Sequence, residues 1–327
     1  MGFLGDDVCF ERPEHDRDSP TSLSDFAEAR YIGWTISGAA AAVSTLIALF
    51  LILKHAQYYT KPNQQRYIIR IILMVPIYAI ISWLSYYFYT EAVYYQLIRN
   101  CYEAFVIASF FALLLQYLGD TIEEQRRVVR LHWKPIAVPF PFCCIMCNPS
   151  DPHFLQILKY GILQYVILQP LCTIASVISH YKGVYCPESY SFSHAHVYIM
   201  IIIFVSVTIS LYSLIILYQA VKVDLAPYKP FSKFLCVKAI IFFMFWQEIL
   251  IGGLATGGII QPTPYWTAAN ITTGLSSILT CFEMIIFALL HTKAFDYRPY
   301  RPEGRHRQTI WRALLDSLNP WDFVVEI

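Results

Sequence analysis

The chain has 327 residues, of which 57% are hydrophobic and only 14% are charged, and its formal net charge is +1. This composition leaves no room for a separate soluble domain of ordinary size, and it gives no indication of a nucleic-acid partner. Residues 1–33 form an acidic segment that lacks the apolar core of a cleavable signal peptide.

Seven apolar stretches follow in chain order, each close to the ~20 residues that a helix needs to cross ~30 Å of hydrocarbon. The sequence therefore predicts an all-α membrane protein, a bundle of seven transmembrane helices over residues 34–292. The predicted spans lie at about 34–53, 71–89, 98–118, 157–178, 197–218, 235–259 and 269–290.

The basic residues indicate how this bundle lies in the membrane. Of the 24 Lys and Arg residues, 19 lie at alternate ends of the predicted spans or in the tail, and the other ends hold only five. Basic residues accumulate on the cytosolic side, so we expect the N-terminus outside or in a lumen and the C-terminus in the cytosol. The five are Arg12, Arg17, Arg30, Arg99 and Lys182.

The tail, residues 293–327, is basic and contains a second, shorter apolar pattern. Its apolar side chains recur at the spacing of one helix face, which predicts an amphipathic helix that ends at Pro320. These side chains are Ile310, Trp311, Leu314, Leu315 and Leu318.

Three acidic residues lie inside the predicted spans: Glu103, Glu248 and Glu283, with Gln247 beside the second. A charge at the centre of a transmembrane helix costs roughly 2.5–3.5 kcal/mol on insertion scales, so such residues mark functional sites or partnered groups. They are therefore either polar contacts for a solute in a cavity or hydrogen-bonded carboxyls that hold helices together.

The cysteines fall into two groups according to the side of the membrane that we predict for them. Cys143, Cys144 and Cys147 lie in the third loop, on the cytosolic side, where S-palmitoylation is favoured over a zinc site or three unmodified thiols. On the other side a disulfide can persist, either between Cys101 and Cys186 or with one of them bonded to Cys9.

Several classes of membrane protein are excluded or disfavoured. No histidine lies in a span core, as a seven-span zinc hydrolase would need, and no lysine lies between 269 and 290 to carry retinal. Receptor signatures are missing from the ends of spans 3 and 7. We find no nucleophile with a base and no convincing set of metal ligands, so we expect no enzyme, no metal and no cofactor except covalent palmitoyl groups.

Several segments together resemble the family of the organic solute transporter alpha subunit and transmembrane protein 184. The likeness runs along residues 34–297, is closer to the transmembrane protein 184 branch, and in the tail is closest to fungal members. The segments are PNQQRYIIRIILMVPIYAIISWLS (62–85), RNCYEAFVIASFFALLLQYLGD (99–120), LKYGILQYVILQP (158–170), FLCVKAIIFFMFWQ (234–247), the run from Cys281 to Phe295, and LDSLNPWDFV in the tail.

The resemblance implies a seven-helix bundle with an outside N-terminus and a groove for steroid-like or lipid-like anionic solutes. In the transporter subunit a palmitoylated cysteine-rich loop borders that groove, and here Cys143, Cys144 and Cys147 occupy the corresponding stretch. The resemblance also suggests a homo-dimer or a single-span beta partner, contact with membrane lipids, and the vacuolar membrane rather than the plasma membrane.

An alternative function is that of an adaptor in the vacuolar membrane. Trp321 and Val324, with Asp322 between them, have the spacing of motifs that dock on the ubiquitin-like modifier of autophagy. Such peptides add a strand to the edge of the partner's sheet and place two side chains in separate pockets. The predicted cytosolic tail would then recruit that modifier.

Overall fold

The computed structural model describes residues 23–88, 91–131, 135–137, 146–184, 192, 194–261, 266, 268–301 and 310–319. Helices form nearly all of this part of the chain, and two strands of two residues each complete it. The helices are α1 (Leu23–Gln57), α2 (Pro62–Ile72), α3 (Met74–Tyr87), α4 (Ala92–Leu118), α5 (Ile122–Arg130), α6 (Phe154–Tyr181), α7 (Ala195–Val221), α8 (Pro230–Thr256), α9 (Ala268–Ala294) and α10 (Ile310–Leu318).

Seven segments are long and apolar enough to cross a membrane, so the predicted seven-helix architecture is confirmed. Span 2 consists of α2 and α3 together, and every other span is a single helix. The orientation of the bundle stays a prediction from the basic residues. Spans 1 to 7 are Arg30–Gln57, Pro62–Tyr87, Tyr94–Leu118, Phe154–Ser179, Ala195–Val221, Pro230–Ala255 and Asn270–Ala294.

Spans 2, 3 and 6 begin earlier than predicted, at Pro62, Tyr94 and Pro230. The prediction stopped each span where polar residues entered the sequence. In the folded chain those polar residues belong to the helices and have partners there. Arg99 and Lys238, which we counted among the basic residues at the ends of spans 3 and 6, therefore lie deeper in these spans than predicted.

Local sequence explains the shape of the shorter elements. Span 2 is interrupted at Leu73 between α2 and α3, because Pro76 has no N–H for the carbonyl four residues back and its ring crowds that carbonyl. α5 begins with a capping box, in which Thr121 and Glu124 each accept a hydrogen bond from the other's backbone N–H. In the third loop Ile136–Ala137 (β1) pairs antiparallel with Met146–Cys147 (β2).

The seven spans divide into a central and a peripheral set. Spans 2 and 3 are central: 72% and 78% of the most apolar stretch of each is buried inside the protein. In spans 4, 5 and 6 the buried share of that stretch is 28–29%. α4 packs against α2, α3 and α6, and α6 packs against α7. Among the described helices α8 packs most extensively against α9, and its side chains also reach α4.

Polar groups at one end of the bundle bond to backbone atoms of other segments. We call this the basic end; it is formed by the span ends at Gln57, Pro62, Leu118, Phe154, Val221, Pro230 and Ala294, and we predict it to be cytosolic. Here Gln65 donates hydrogen bonds to the carbonyls of His55 and Tyr58 at 3.2 and 2.8 Å. His55 Nε2 lies 2.9 Å from the carbonyl oxygen of Phe295, which ties span 1 to the end of span 7.

Candidate functional site

Four charged residues of spans 3 and 6 lie within the membrane-spanning part of the bundle. They are Arg99 and Glu103 of α4 and Lys238 and Glu248 of α8, and we call them the charge cluster. Because α4 begins at Ala92, Arg99 lies about 10 Å along the helix from its start, and Glu103 lies about one turn further in. Two cations and two carboxylates thus share one interface between helices.

The pair at the outer edge of this cluster is Arg99 and Glu248. Arg99 Nη2 lies 3.1 Å from Glu248 Oε1, and the Arg99 side chain is only 9% exposed whereas that of Glu248 is 56% exposed. The guanidinium also lies 5.5 Å from the centre of the Tyr78 ring and 3.8 Å from Met244 Sδ. Arg99 is therefore held on three sides, while its carboxylate partner reaches it from an open side.

The deeper part of the cluster contains Glu103 and Lys238. Tyr78 donates a hydrogen bond to Glu103 Oε2 at 3.2 Å, and Lys238 lies close enough for its charge to act on this carboxylate. Tyr78 therefore contacts both ends of the cluster, through its ring at Arg99 and through its hydroxyl at Glu103. Such pairing offsets part of the cost of placing charges in a membrane.

Apolar side chains from four different spans line the region next to these charges. Ala104 and Ile107 of α4 pack with Tyr165 of α6, and side chains of α7 and α8 cover them. The covering residues are Ile203, Val207 and Ile241. These side chains are packed together, so a molecule with one anionic group and a hydrophobic body fits beside the cations only where the helices separate.

A concave surface lies on a different face of α4, away from the charge cluster. It is an apolar groove of about 540 Å³ between α3 and α4, and its lining contains no charged residue. The groove can accommodate hydrocarbon, but it offers no partner for a charged group. It is lined by Ile77, Ile80, Ile81, Ile98, Cys101, Tyr102 and Phe105.

The four residues predicted as polar contacts do not come together in one place. Glu103 and Glu248 belong to the charge cluster, but Gln247 donates to the carbonyl and hydroxyl oxygens of Ser276 at 2.9 and 3.0 Å. Gln247 therefore links spans 6 and 7. Glu283 is half-buried in α9, and its Oε2 has no hydrogen-bond partner within the described part of the chain.

The predicted cysteine sites are described only in part. Cys101 is a free thiol whose Sγ lies 3.1 Å from Thr173 Oγ1, while Cys186, its predicted partner, lies outside the described residues. Cys143 and Cys144 also lie outside them. Cys147, on β2, is half-buried and packs against the hydrophobic core as a free thiol.

The remaining predictions concern partner binding by the tail and the expectation of no metal site. Trp321, Asp322 and Val324 lie outside the described residues. In the described ranges no group of three His, Cys, Asp or Glu side chains has an arrangement that could hold a metal ion. The helix predicted before Pro320 is present as α10.

The prediction from sequence missed the two cations of the charge cluster. Both lay within four residues of a predicted span start, so they were counted with the basic residues at the span ends. One signal was available: Arg99 and Glu103 are four residues apart, so on a helix they lie on the same face. No local pattern indicated that Lys238 and Glu248 would meet that face.

Comparison with protein families gives a match over most of the chain. The family model described as Organic solute transporter Ostalpha matches residues 33–300, from near the start of span 1 to beyond the end of span 7. The match therefore includes every span and all four residues of the charge cluster. No solved structure matches the chain.

Proposed function

Because the chain belongs to the Organic solute transporter Ostalpha family, which is generally non-enzymatic, we propose that it binds and moves amphipathic organic anions across a membrane. In this proposal Arg99 and Lys238 bind the anionic group, and the apolar wall from Ala104 to Ile241 receives the hydrophobic body. The observation that carries it is the Arg99–Glu248 pair, because its cation is buried and its anion is half exposed.

The roles of the carboxylates follow from the sign of their charge. A carboxylate repels an anionic solute, so Glu248 does not contact the solute's charged group directly. It neutralises Arg99 while the site is empty, and a sulfate or carboxylate group of the solute takes its place. Glu103, held by the Tyr78 hydroxyl, acts in the same way on Lys238. Arg99 thus has an anionic partner in both states, and the released Glu248 is on the exposed side of the pair.

We infer the class of solute from the two cations and from the apolar side chains next to them. Tyr165 and Ile107 are buried beside the cations, and α8 packs less extensively against α4 than against α9. Such an interface can separate to admit a flat, rigid molecule at a smaller cost than a closely packed backbone contact. Steroid-like and lipid-like anions fit these requirements.

The test is binding of a fluorescent steroid sulfate to the purified full chain in lipid nanodiscs. Arg99→Gln should raise the Kd about tenfold to a hundredfold, because a hydrogen bond to a charged group contributes about 1.5–3 kcal/mol. The matched control is Arg30→Gln. Arg30 donates to the carbonyl of Tyr87 at 2.8 Å, near the end of the bundle opposite the basic end.

Two results decide whether the charge of the solute matters. The parent steroid without its sulfate should bind equally to the wild type and to Arg99→Gln, which also shows that the variant is folded. An unchanged Kd for the sulfate in Arg99→Gln contradicts the proposal. So does an equal loss of affinity for the sulfate and for the neutral steroid.

Acylation of the third loop is a separate part of the proposal. We propose that Cys143 and Cys144 carry the acyl groups, whereas Cys147 is the poorest acceptor of the three because it packs against the core. Acyl–biotin exchange on single Cys→Ser variants tests this. A reduction of labelling in both Cys143→Ser and Cys144→Ser, but not in Cys147→Ser, supports it, and equal background labelling of all proteins contradicts it.

The compartment and the partners are also proposals, and they rest on the family resemblance. We propose the vacuolar membrane and either a homo-dimer or a single-span beta partner. The alternative adaptor function is compatible with a docked α10, because this helix ends at Leu318 and the motif with Trp321 and Val324 follows it in the sequence. Titration of a 305–327 peptide against the ubiquitin-like modifier tests this alternative, and binding indifferent to both Trp321→Ala and Val324→Ala removes it.

A further inference from the structure

The tail helix α10 is attached to the membrane-spanning part of the protein through one face. Ala313 and Ser317 on this face are buried, and α10 packs against α2 and α1. Ala313 and Ser317 are one helical turn apart and form a narrow stripe of small side chains. This stripe lets α10 approach its neighbours closely. The tail is therefore packed onto spans 1 and 2 along this helix.

Buried polar contacts fix the end of α10 in that position. Arg70 of α2 donates from Nε to the carbonyl of Ser317 at 2.7 Å and from Nη2 to the carbonyl of Asn319 at 2.6 Å. The last carbonyls of a helix have no partner within the helix, so a buried arginine beside them satisfies both groups and opposes the negative end of the helix dipole.

A second contact ties α10 to the end of span 1. The Tyr59 hydroxyl donates to Asp316 Oδ2 at 2.6 Å. Burial, together with this bond, raises the pKa of the Tyr59 phenol above its usual value, so the group stays protonated and continues to donate. α10 is thus fixed to spans 1 and 2 at separate points.

The position of Arg70 sets the depth of α10. Span 2 begins at Pro62, so Arg70 lies eight residues, or about 12 Å, along it. Every residue of α2 from Gln64 to Ile72 is buried, although α2 is part of a membrane span. α1, α4 and α10 surround it, so α10 covers a side of span 2 that lipid would otherwise contact.

The two flanks of α10 beside its buried face differ in polarity. Trp311, Leu315 and Leu318 recur at i, i+4 and i+7 and are 75%, 71% and 58% exposed, so they form one apolar flank. Arg312 and Asp316 lie on the opposite flank. An in-plane helix at a membrane surface has this division, with one flank towards the acyl chains and the other towards water.

We propose that α10 is inserted in the leaflet at the basic end as an in-plane helix, with Trp311, Leu315 and Leu318 in contact with lipid acyl chains. Lipid is the occupant that the depth of Arg70 favours, because a helix that shields part of a membrane span has the bilayer on its other side. Trp311 then lies near the headgroup level, where tryptophan is enriched in membrane proteins.

The test is fluorine NMR of the full chain labelled with 5-fluorotryptophan in phosphatidylcholine nanodiscs. Trp311→Phe identifies the Trp311 resonance and leaves an aromatic ring in place. A lipid with a nitroxide on its acyl chain should remove the Trp311 signal, and a water-soluble nickel chelate should leave it. Trp246, half exposed within span 6, is the control for lipid contact and should respond in the same way.

The other occupants of this surface give different results. A Trp311 signal lost to the chelate but not to the nitroxide lipid means that the flank faces water, and it overturns the proposal. A signal that resists both agents means that protein covers the flank, as a second copy of the chain would, and it also overturns the proposal. Both outcomes are independent of solute binding at the charge cluster.

Discussion

The basic end of span 2 and the charge cluster between spans 3 and 6 differ in what their buried arginines bond to. In the central set, Gln65 and Arg70 donate to backbone carbonyls of other segments. Where the central set meets the periphery, Arg99 bonds to the side chain of Glu248, which is half exposed.

This difference separates polar groups that stabilise the fold from polar groups that are available to a ligand. A carbonyl of a packed segment cannot move away, so its donor is held permanently. A glutamate side chain can change rotamer and release its partner when another anion arrives. The comparison therefore assigns Arg70 to stability and Arg99 to function, although both are buried arginines in neighbouring spans.

The largest expected effect on stability is that of Arg70→Gln. The change removes the donor from the buried carbonyl of Ser317, which costs about 1–3 kcal/mol, and loses the contact with the more exposed carbonyl of Asn319. We expect a lower melting temperature and release of α10, visible as chelate access to Trp311. Arg312→Gln, on the exposed polar flank of α10, is the control and should leave both measurements unchanged.

An intermediate effect is expected at Gln247. Gln247→Leu keeps the volume but loses two hydrogen bonds to Ser276, each contributing about 0.5–1.5 kcal/mol. Thermal unfolding should show this loss, while the Kd for the steroid sulfate stays at the wild-type value because Gln247 faces span 7. A changed Kd with unchanged stability would place Gln247 at the solute site, as the sequence had indicated.

The smallest effect on stability is expected from the Arg99–Glu248 pair. Polar contacts between membrane helices contribute about 0.6 kcal/mol on average and up to about 1.7 kcal/mol. A double-mutant cycle with Arg99→Gln and Glu248→Gln, measured by thermal unfolding, should therefore give a coupling energy in this range. A coupling energy of several kcal/mol would instead make this pair a structural bond between spans 3 and 6.

The sequence predicted the features that depend on local composition. Runs of apolar residues gave the number and order of the spans, and the spacing from Ile310 to Leu318 predicted α10. Both depend on periodicity or length within one segment, which a single sequence contains. Neither prediction requires knowledge of which helices lie next to one another.

The partners of polar residues could not be predicted in the same way. Arg70 lies 247 residues before Ser317, and Arg99 lies 149 residues before Glu248, so no local pattern connects them. A polar residue near a span end has the same local sequence whether it faces water or a buried partner. For this reason Arg99 and Lys238 were counted with the basic residues at the ends of their spans, and Gln247 was grouped with the solute contacts.

The central claim is that Glu248 occupies the place of the solute's anionic group, and Glu248→Gln tests it most directly. The substitution keeps the shape and removes the competing charge, so the Kd for the steroid sulfate in nanodiscs should fall, opposite in sign to the effect of Arg99→Gln. A rise in Kd that parallels Arg99→Gln would contradict the claim, because it would mean that the two residues support the site together rather than exchange partners.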